Sequence, residues 1–341
     1  MTYVHPVLAS KYFPEFEANL ADLSGKTIAV TGTTSGTGLV FARTCARKGA
    51  RVLMLNRKSS RSDSAQERVK AESPSGSVET IECDLMSFDS VRAACAVLVT
   101  ACAKDGLDVL CCNAGIMAFE DKATVDGYDV QMQTNHLSHF LLAREAFPLL
   151  EAAAARTGEA RIVSHSSGAR MGSGGPLGER YLGPNGGDLG GNGASMLCGG
   201  ARWKRYGQTK LANSVFTQAL HERLQASGSK VKAVCCAPGG AVTDLQATTV
   251  KDGGLASGFA SWMMSKTQSA EDGTMPLLLG SVGPAADVPS GGSMFEPTHW
   301  GGWVGPAGRP KALMATEKRA DSKALLWEMS EKAVGAWPMG L

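Results

Sequence analysis

The stretch Thr27-Ile28-Ala29-Val30-Thr31-Gly32-Thr33-Thr34-Ser35-Gly36-Thr37-Gly38 passes from an apolar run into glycines and small hydroxyl residues. The apolar run predicts a strand, and the residues from Gly38 to Lys48 predict a helix. Glycine is needed where a chain turns sharply and where backbone must touch a ligand without a Cβ in the way. A helix N-terminus opening directly after such a turn presents unpaired N–H groups to an anion. Strand, Gly-x-x-x-Gly-x-Gly and helix in that order point to a pyrophosphate cradle of Gly32, Thr34, Ser35, Gly36, Thr37 and Gly38. Without those flanking elements the string would read as a plain turn.

Further strands are expected at Arg51–Asn56, Val78–Cys83, Asp108–Cys112, Arg161–His165 and Val231–Cys236. These runs are short and do not alternate with polar residues, as is usual for strands buried on both faces. Between them lie helix-length segments: Val91–Lys104, Tyr128–Leu150 and Tyr206–Leu224. Alternating βα units predict a parallel sheet covered by helices on both sides. From Gly168 to Gly200 there are 13 glycines in 33 residues, which reads as a long surface loop inserted in the domain. A second irregular zone, residues 246–272, carries Phe259, Trp262, Met263 and Met264. Residues 317–334 have helical spacing, with Leu325, Trp327 and Met329 among charges.

The whole chain has 341 residues, of which 43 % are hydrophobic, so there is material for a large buried core. Thirty-four Lys and Arg against 32 Asp and Glu leave a formal charge of +2, without the basic excess of a nucleic-acid binder. No apolar run is long enough to predict a transmembrane helix. Residues 1–24 read as an N-terminal extension that is neither a secretory signal nor a transit peptide. Nine cysteines without a C-x-x-C pair read as reduced thiols. The expectation is a cytoplasmic protein. His136 and His139 share a helical face without further ligands at metal spacing, so no metal site is expected.

Other short strings carry chemistry. Arg57, Lys58 and Arg61 follow the second strand, and no acid appears before Asp63. An acidic residue there would hold a ribose 2′-hydroxyl, whereas a guanidinium at Arg57 suits a 2′-phosphate, favouring NADP (NADPH) over NAD. A solvated charge run is the other reading. Asp84 and Leu85 end the third strand, where a carboxylate can accept from an adenine amino group. Asn113, Ala114 and Gly115 end the fourth, and small residues there let a cofactor approach. Tyr206 and Lys210 lie four apart on one helical face, where an ammonium would lower the phenol pKa. Ser166 and Ser167 end the fifth strand. Asn135 stands within a helical stretch, as a kink or a water relay. Pro238, Gly239 and Thr243 follow the sixth strand.

In this order, the strings TGTTSGTG, LDVLCCNAG, TNHLSHFLL, RIVSHSS, YGQTK and PGGAVT resemble the short-chain dehydrogenase/reductase superfamily. EDG after Ala270 and LLWEMSEKAVG near the end are similar to its retinol-dehydrogenase-like branch, with relatives of the WW-domain oxidoreductase. The resemblance implies an α/β fold: one Rossmann-type domain over residues 25–335, a seven-stranded parallel sheet, and a short tail at 336–341. It implies Tyr206 as general acid/base, with Lys210 lowering its pKa and holding the nicotinamide ribose. It also implies that Ser167 orients the carbonyl, Asn135 holds a water, and Thr243 meets the carboxamide. Four departures stand out. Thr37 replaces Ile or Leu, Cys112 replaces an Asn, His165 replaces an apolar residue, and the Ser167–Tyr206 interval is long.

The resemblance implies a substrate lid at 246–272, whose apolar residues suit a lipophilic aldehyde, ketone or alcohol. The same residues could instead pack on the core or form a homodimer interface. The insert at 168–200 is expected beside the substrate mouth, and its partial removal is expected to alter substrate choice while leaving the fold intact. The leading functional reading is an NADP-dependent carbonyl reductase or alcohol dehydrogenase. The alternative is a catalytically idle dinucleotide-binding sensor or scaffold.

Overall fold

Six strands form where the buried apolar runs predict them, within one residue at each end: β1 (Thr27–Thr31), β2 (Arg51–Asn56), β3 (Val78–Glu82), β4 (Val109–Cys112), β5 (Ala160–His165) and β6 (Val231–Cys236). The computed structural model describes residues 6–74, 77–196, 199–288, 291–308 and 311–338. Four short strands follow: β7 (Ser293–Phe295), β8 (Pro297–His299), β9 (Val304–Ala307) and β10 (Lys311–Ala312). The main sheet runs β10-β7-β6-β5-β4-β1-β2-β3 and is parallel except for β10, which pairs antiparallel with β7. The sheet therefore has eight strands where the family resemblance implied seven. β10 is only two exposed residues long and has no apolar pattern to read. β8 and β9 form a separate antiparallel hairpin.

Twelve α-helices are described: α1 (Phe13–Ala18), α2 (Gly36–Arg47), α3 (Ser60–Ala71), α4 (Phe88–Cys102), α5 (Val130–Met132), α6 (Ser138–Thr157), α7 (Glu179–Leu182), α8 (Ala201–Ser227), α9 (Asp244–Lys251), α10 (Ser257–Met264), α11 (Ala270–Val282) and α12 (Ala320–Val334). The long crossover helices α6 and α8 end on left-handed glycines, Gly158 and Gly228, which no Cβ obstructs. Apolar layers cover both faces of the sheet. β1 and β4 are wholly buried, whereas β3 at the edge exposes Glu79 and Glu82. β1 lies between β2 and β4: the chain runs outward from β1 through β2 to β3, then crosses back to β4 on the other side of β1. The crevice at the C-terminal ends of such strands is where open α/β sheets bind ligands.

The Gly-rich segment is not a plain surface loop. It contains a 3₁₀ turn (Gly168–Gly172) and α7, and it buries Leu177, Tyr181, Leu182 and Leu189. Polar groups tie it down. Asp121 accepts from the N–H groups of Gly187, Leu189 and Gly191, while the buried Arg205 donates to the carbonyls of Leu189 and Gly191. Gln208 donates to the carbonyls of Ser173 and Pro176 and accepts from Gly178 N–H. Glycine remains necessary because Gly187, Gly190 and Gly191 all have φ between +74° and +99°.

Residues 246–272 are mostly helical rather than irregular, forming the rest of α9, then α10 and the start of α11. The N-terminal extension is docked on the sheet domain. One carboxylate, that of the buried Asp272, accepts from Ser10 Oγ and from the N–H groups of Lys11, Tyr12 and Phe13. Trp337, in the segment read as a tail, is buried against Phe140 and Trp327, with ring centroids 5.2 Å apart in each case.

Candidate active site

The Gly-rich turn after β1 is shaped by its neighbours. Gly32 and Gly36 have φ of +71° and +56°, and a Cβ on Gly38 would lie 2.1 Å from the Gly32 carbonyl. Asn56 at the end of β2 holds this turn by accepting from Thr33 N–H and donating to Thr33 Oγ1. Ser35 is the N-cap of α2, and its side chain makes no capping hydrogen bond among the described residues. The first-turn N–H groups of α2 are thus not taken by that side chain, as an anion cradle requires. Thr243 packs over the same turn, since a Cβ on Gly36 would be 3.1 Å from Thr243 Cβ. Its hydroxyl donates to Gln246 Oε1.

Asn113 joins this turn to the centre of the sheet. Its Nδ2 donates to the carbonyls of Thr31 and Gly32. Its Oδ1 accepts from Thr37 Oγ1 at 3.1 Å and from His165 Nδ1 at 2.9 Å. Ala114 N–H donates to Thr31 Oγ1. Gly115 adjoins Asn135 and Lys210: a Cβ there would be 3.1 Å from Asn135 Oδ1 and 3.4 Å from Lys210 Nζ.

Tyr206 and Lys210 occupy one face of α8, as their spacing predicts. Lys210 Nζ donates to the His165 carbonyl at 3.0 Å and lies 5.7 Å from the Tyr206 ring centroid. Ser167 caps the 3₁₀ turn, its Oγ accepting from Ala169 N–H, and it is the side chain that lowers the Tyr206 phenol pKa. Ser166 points away from this group, its buried hydroxyl donating to the Lys210 carbonyl. Asn135 lies in a π-helical turn, Gln133–Leu137, so it marks a helical irregularity. Its side chain accepts from Ile116 N–H and donates to the Ile116 carbonyl and Thr209 Oγ1.

Burial pushes the Tyr206 phenol up to about 12, and Ser167 offsets part of that. This direction is opposite to the sequence expectation. Desolvation sets this direction, and the Lys210 ammonium faces the ring and donates to the His165 carbonyl. Burial pushes Lys210 down to about 8. His139 and His165 are neutral, at about 4 and 3, chiefly because they are buried. Nδ1 of His139 faces the Asn135 carbonyl, which can only accept, so Nδ1 carries the proton and Nε2 accepts from Thr31 Oγ1.

The remaining expected residues sit further along the crevice. Arg57 is exposed at the end of β2. Next to the Gly-rich turn lies a cavity of about 250 Å³, lined by Thr34, Leu39, Ser60, Arg61, Ser64, Ala65 and Arg68. Asp84 is half-buried with Oδ1 accepting from Met86 N–H, and the Leu85 carbonyl accepts from Ser138 Oγ. Pro238 is half-buried beside Gly239, which has φ +68°. A Cβ on Gly239 would lie 2.3 Å from the Trp303 carbonyl, so that glycine serves the β8–β9 hairpin. Sequence reasoning missed His139, Thr209 and Trp203. Trp203 packs edge-on to Tyr206 at 6.1 Å, and its indole N–H donates to the carbonyls of Ala194 and Gly254. The only sequence signal for it was its place three residues before Tyr206. Around Tyr206 an apolar group closes, formed by Met117, Ala118, Trp203, Leu255 and Ala260, with Phe259 and Met263 at its margin.

The short chain dehydrogenase family model matches residues 26–181. An uncharacterized oxidoreductase of Schizosaccharomyces pombe is 34 % identical, over 67 % of this chain and 63 % of its own. Retinol dehydrogenase 12 of Mus musculus is 33 % identical, over 62 % and 61 %. Polyprenol dehydrogenase of Homo sapiens is 30 % identical, over 78 % and 76 %. The match thus spans less than two thirds of the length of the first two. A solved structure of an uncharacterized protein from Mycobacterium Paratuberculosis superposes with a TM-score of 0.70 at 29 % identity, covering 95 % of this chain and 98 % of that one. A solved structure from Beutenbergia cavernae with bound NADP shares the fold with a TM-score of 0.55 at 23 % identity, over 78 % of this chain and 93 % of that one. With its Gly-rich turn, its Tyr206–Lys210 face and these relatives, the chain belongs to the short-chain dehydrogenase/reductase superfamily, in the retinol-dehydrogenase-like branch.

Proposed function

We propose that this protein is an NADP-dependent oxidoreductase that interconverts a lipophilic aldehyde or ketone and the corresponding alcohol. The observation that carries the reading is a buried, neutral Tyr206 phenol with the Lys210 ammonium 5.7 Å from its ring centroid, and with Ser167 as the side chain that lowers its pKa. A phenol that keeps its proton at neutral pH is suited to donate it only as negative charge develops on a carbonyl oxygen. Ser167 orients that oxygen. Lys210 holds positive charge next to Tyr206, and Asn135 positions the residues around Lys210. The apolar group around Tyr206 excludes water and favours lipophilic substrates.

The residues present fit a nicotinamide dinucleotide, which supplies the hydride when bound. Gly32, Thr34, Ser35, Gly36, Thr37 and Gly38, with the α2 N-terminus, would hold the pyrophosphate. Asn113, Ala114 and Gly115 would line the middle of its binding crevice, and Asp84 and Leu85 would hold the adenine. Pro238, Gly239 and Thr243 would hold the carboxamide. Arg57, with Arg61 and Arg68 near the adjoining cavity, gives that end the positive charge a 2′-phosphate needs. The eight described cysteines are free and buried, as suits a reducing compartment such as the cytoplasm. No described helix is long and apolar enough to cross a membrane.

The test is oxidation of NADPH, beside NADH, with aldehydes and ketones from short and polar to long and lipophilic. Turnover with NADPH and long carbonyls should fall about 10²–10⁴-fold in Tyr206→Phe while NADPH binding is kept. Tight NADPH binding with no turnover across the panel would favour the sensor instead.

A further inference from the structure

The turn that carries Ser167 is gripped by a guanidinium that the proposed reaction does not use. Arg170 is 6 % exposed. Its Nη1 donates to the Ser167 carbonyl at 3.0 Å, and its own N–H donates to the same oxygen at 3.1 Å. Its Nε donates to Glu317 Oε1 and its Nη2 to Glu296 Oε1, each at 2.7 Å. Glu317 is fully buried and also accepts from Met314 N–H. Burial alone would lower the Arg170 pKa, but the Glu296 and Glu317 carboxylates raise it, so the group stays charged. Both carboxylates lie outside residues 26–181, the part matched by the family model.

This cluster is a costly way to achieve stability alone. Two carboxylates face one guanidinium in a desolvated place, and such groups are often replaceable by apolar packing without loss. What arginine adds is geometry: a planar fork with donors at fixed angles. Here the fork points one arm at the backbone of Ser167. On the other side the same turn lies against α8 beside Tyr206, because a Cβ on Gly207 would be 2.9 Å from the Ala169 carbonyl. Ala169 N–H in turn donates to Ser167 Oγ.

We propose that Arg170, backed by Glu296 and Glu317, is the positioning residue for Ser167 and holds its hydroxyl at the Tyr206 phenol. The C-terminal segment thereby completes the active site without touching substrate. This inference rests on the reading of Ser167 as the group that orients the carbonyl.

The experiment compares wild type, Ser167→Ala, Arg170→Lys and the double variant in NADPH-dependent reduction of the best carbonyl. NADPH dissociation constants and melting temperatures are measured alongside. Lysine keeps the charge and loses the fork. Arg170→Lys should lower kcat about tenfold or more while the NADPH Kd changes less than about twofold. In the Ser167→Ala background it should lower kcat less than about twofold, because residues acting as one unit are not additive. An independent tenfold loss in that background, or an equal loss of NADPH binding, would overturn the proposal and leave Ser167 its role. No effect of Ser167→Ala alone would overturn the underlying reading and this inference with it. If Arg170→Lys does not fold, Glu296→Gln carries the same comparison, with a smaller loss of kcat that must also vanish in the Ser167→Ala background.

Discussion

Thr37 and His165 meet on a single atom. The carboxamide oxygen of Asn113 accepts from Thr37 Oγ1 at 3.1 Å and from His165 Nδ1 at 2.9 Å. Both residues depart from the family pattern, and each departure puts a donor where an apolar side chain is usual. They fill the two lone pairs of one oxygen, whose amide nitrogen already binds the Thr31 and Gly32 carbonyls. The link runs on to α8, because the His165 carbonyl accepts from Lys210.

Thr37→Val or His165→Leu alone should each cost about 1 kcal/mol, because Asn113 keeps one donor. The double variant leaves a buried oxygen without either. It should cost more than the sum, by on the order of 1 kcal/mol. Denaturant unfolding of the four proteins measures this, and simple additivity would show that water takes the vacant place.

Acid should destabilise the protein well above the usual carboxylate range. Burial pushes His136, His139 and His165 down to about 3, 4 and 3. Unfolded histidine titrates near 6.5, so the unfolded chain binds more protons between about pH 6.5 and 4. Stability is therefore lost as pH falls through that window. Asp129 acts in the opposite sense: burial raises it to about 6, so the folded chain holds its proton first. Three imidazoles outweigh one carboxyl. The melting temperature should drop below about pH 6.5, and His136→Gln should flatten that slope.

Arg57→Ala should weaken NADPH binding by about tenfold or more and NADH binding far less, as expected for a charge-assisted contact to a phosphate. Equilibrium titration with each nucleotide reads the difference. Equal losses would move the assignment of the 2′-phosphate contact away from Arg57.

The Gly-rich insert should behave as part of the core. Leu182 is fully buried, so Leu182→Ala should cost about 2–5 kcal/mol. Removing residues 183–193 takes two carbonyl acceptors from the buried Arg205 and three donors from Asp121, so this deletion should unfold the domain. A well-folded deletion protein with altered substrate choice would restore the sequence expectation.

Parallel strands buried on both faces read as unbroken apolar runs, and six of them could be placed within a residue. The turn after β1 was legible for a related reason. Its glycines answer local demands, such as positive φ at Gly32 and close approach at Gly38. The i, i+4 pairing of Tyr206 and Lys210 is likewise a property of one helix. Composition misled at the insert, because its glycines permit φ values that let a tethered loop pack. The two exposed residues of β10 offered no pattern at all.

By itself, then, the sequence determined the layered α/β architecture, the Gly-rich turn after β1 and the face carrying Tyr206 and Lys210, since each depends on residues within one or two neighbouring elements. Only the tertiary structure decided which way burial moves the Tyr206 pKa, and that Thr37 and His165 share Asn113. It also decided that Glu296 and Glu317 reach Arg170. Those relations join segments distant in the chain, and the low dielectric that gives them their strength exists only once the core has closed.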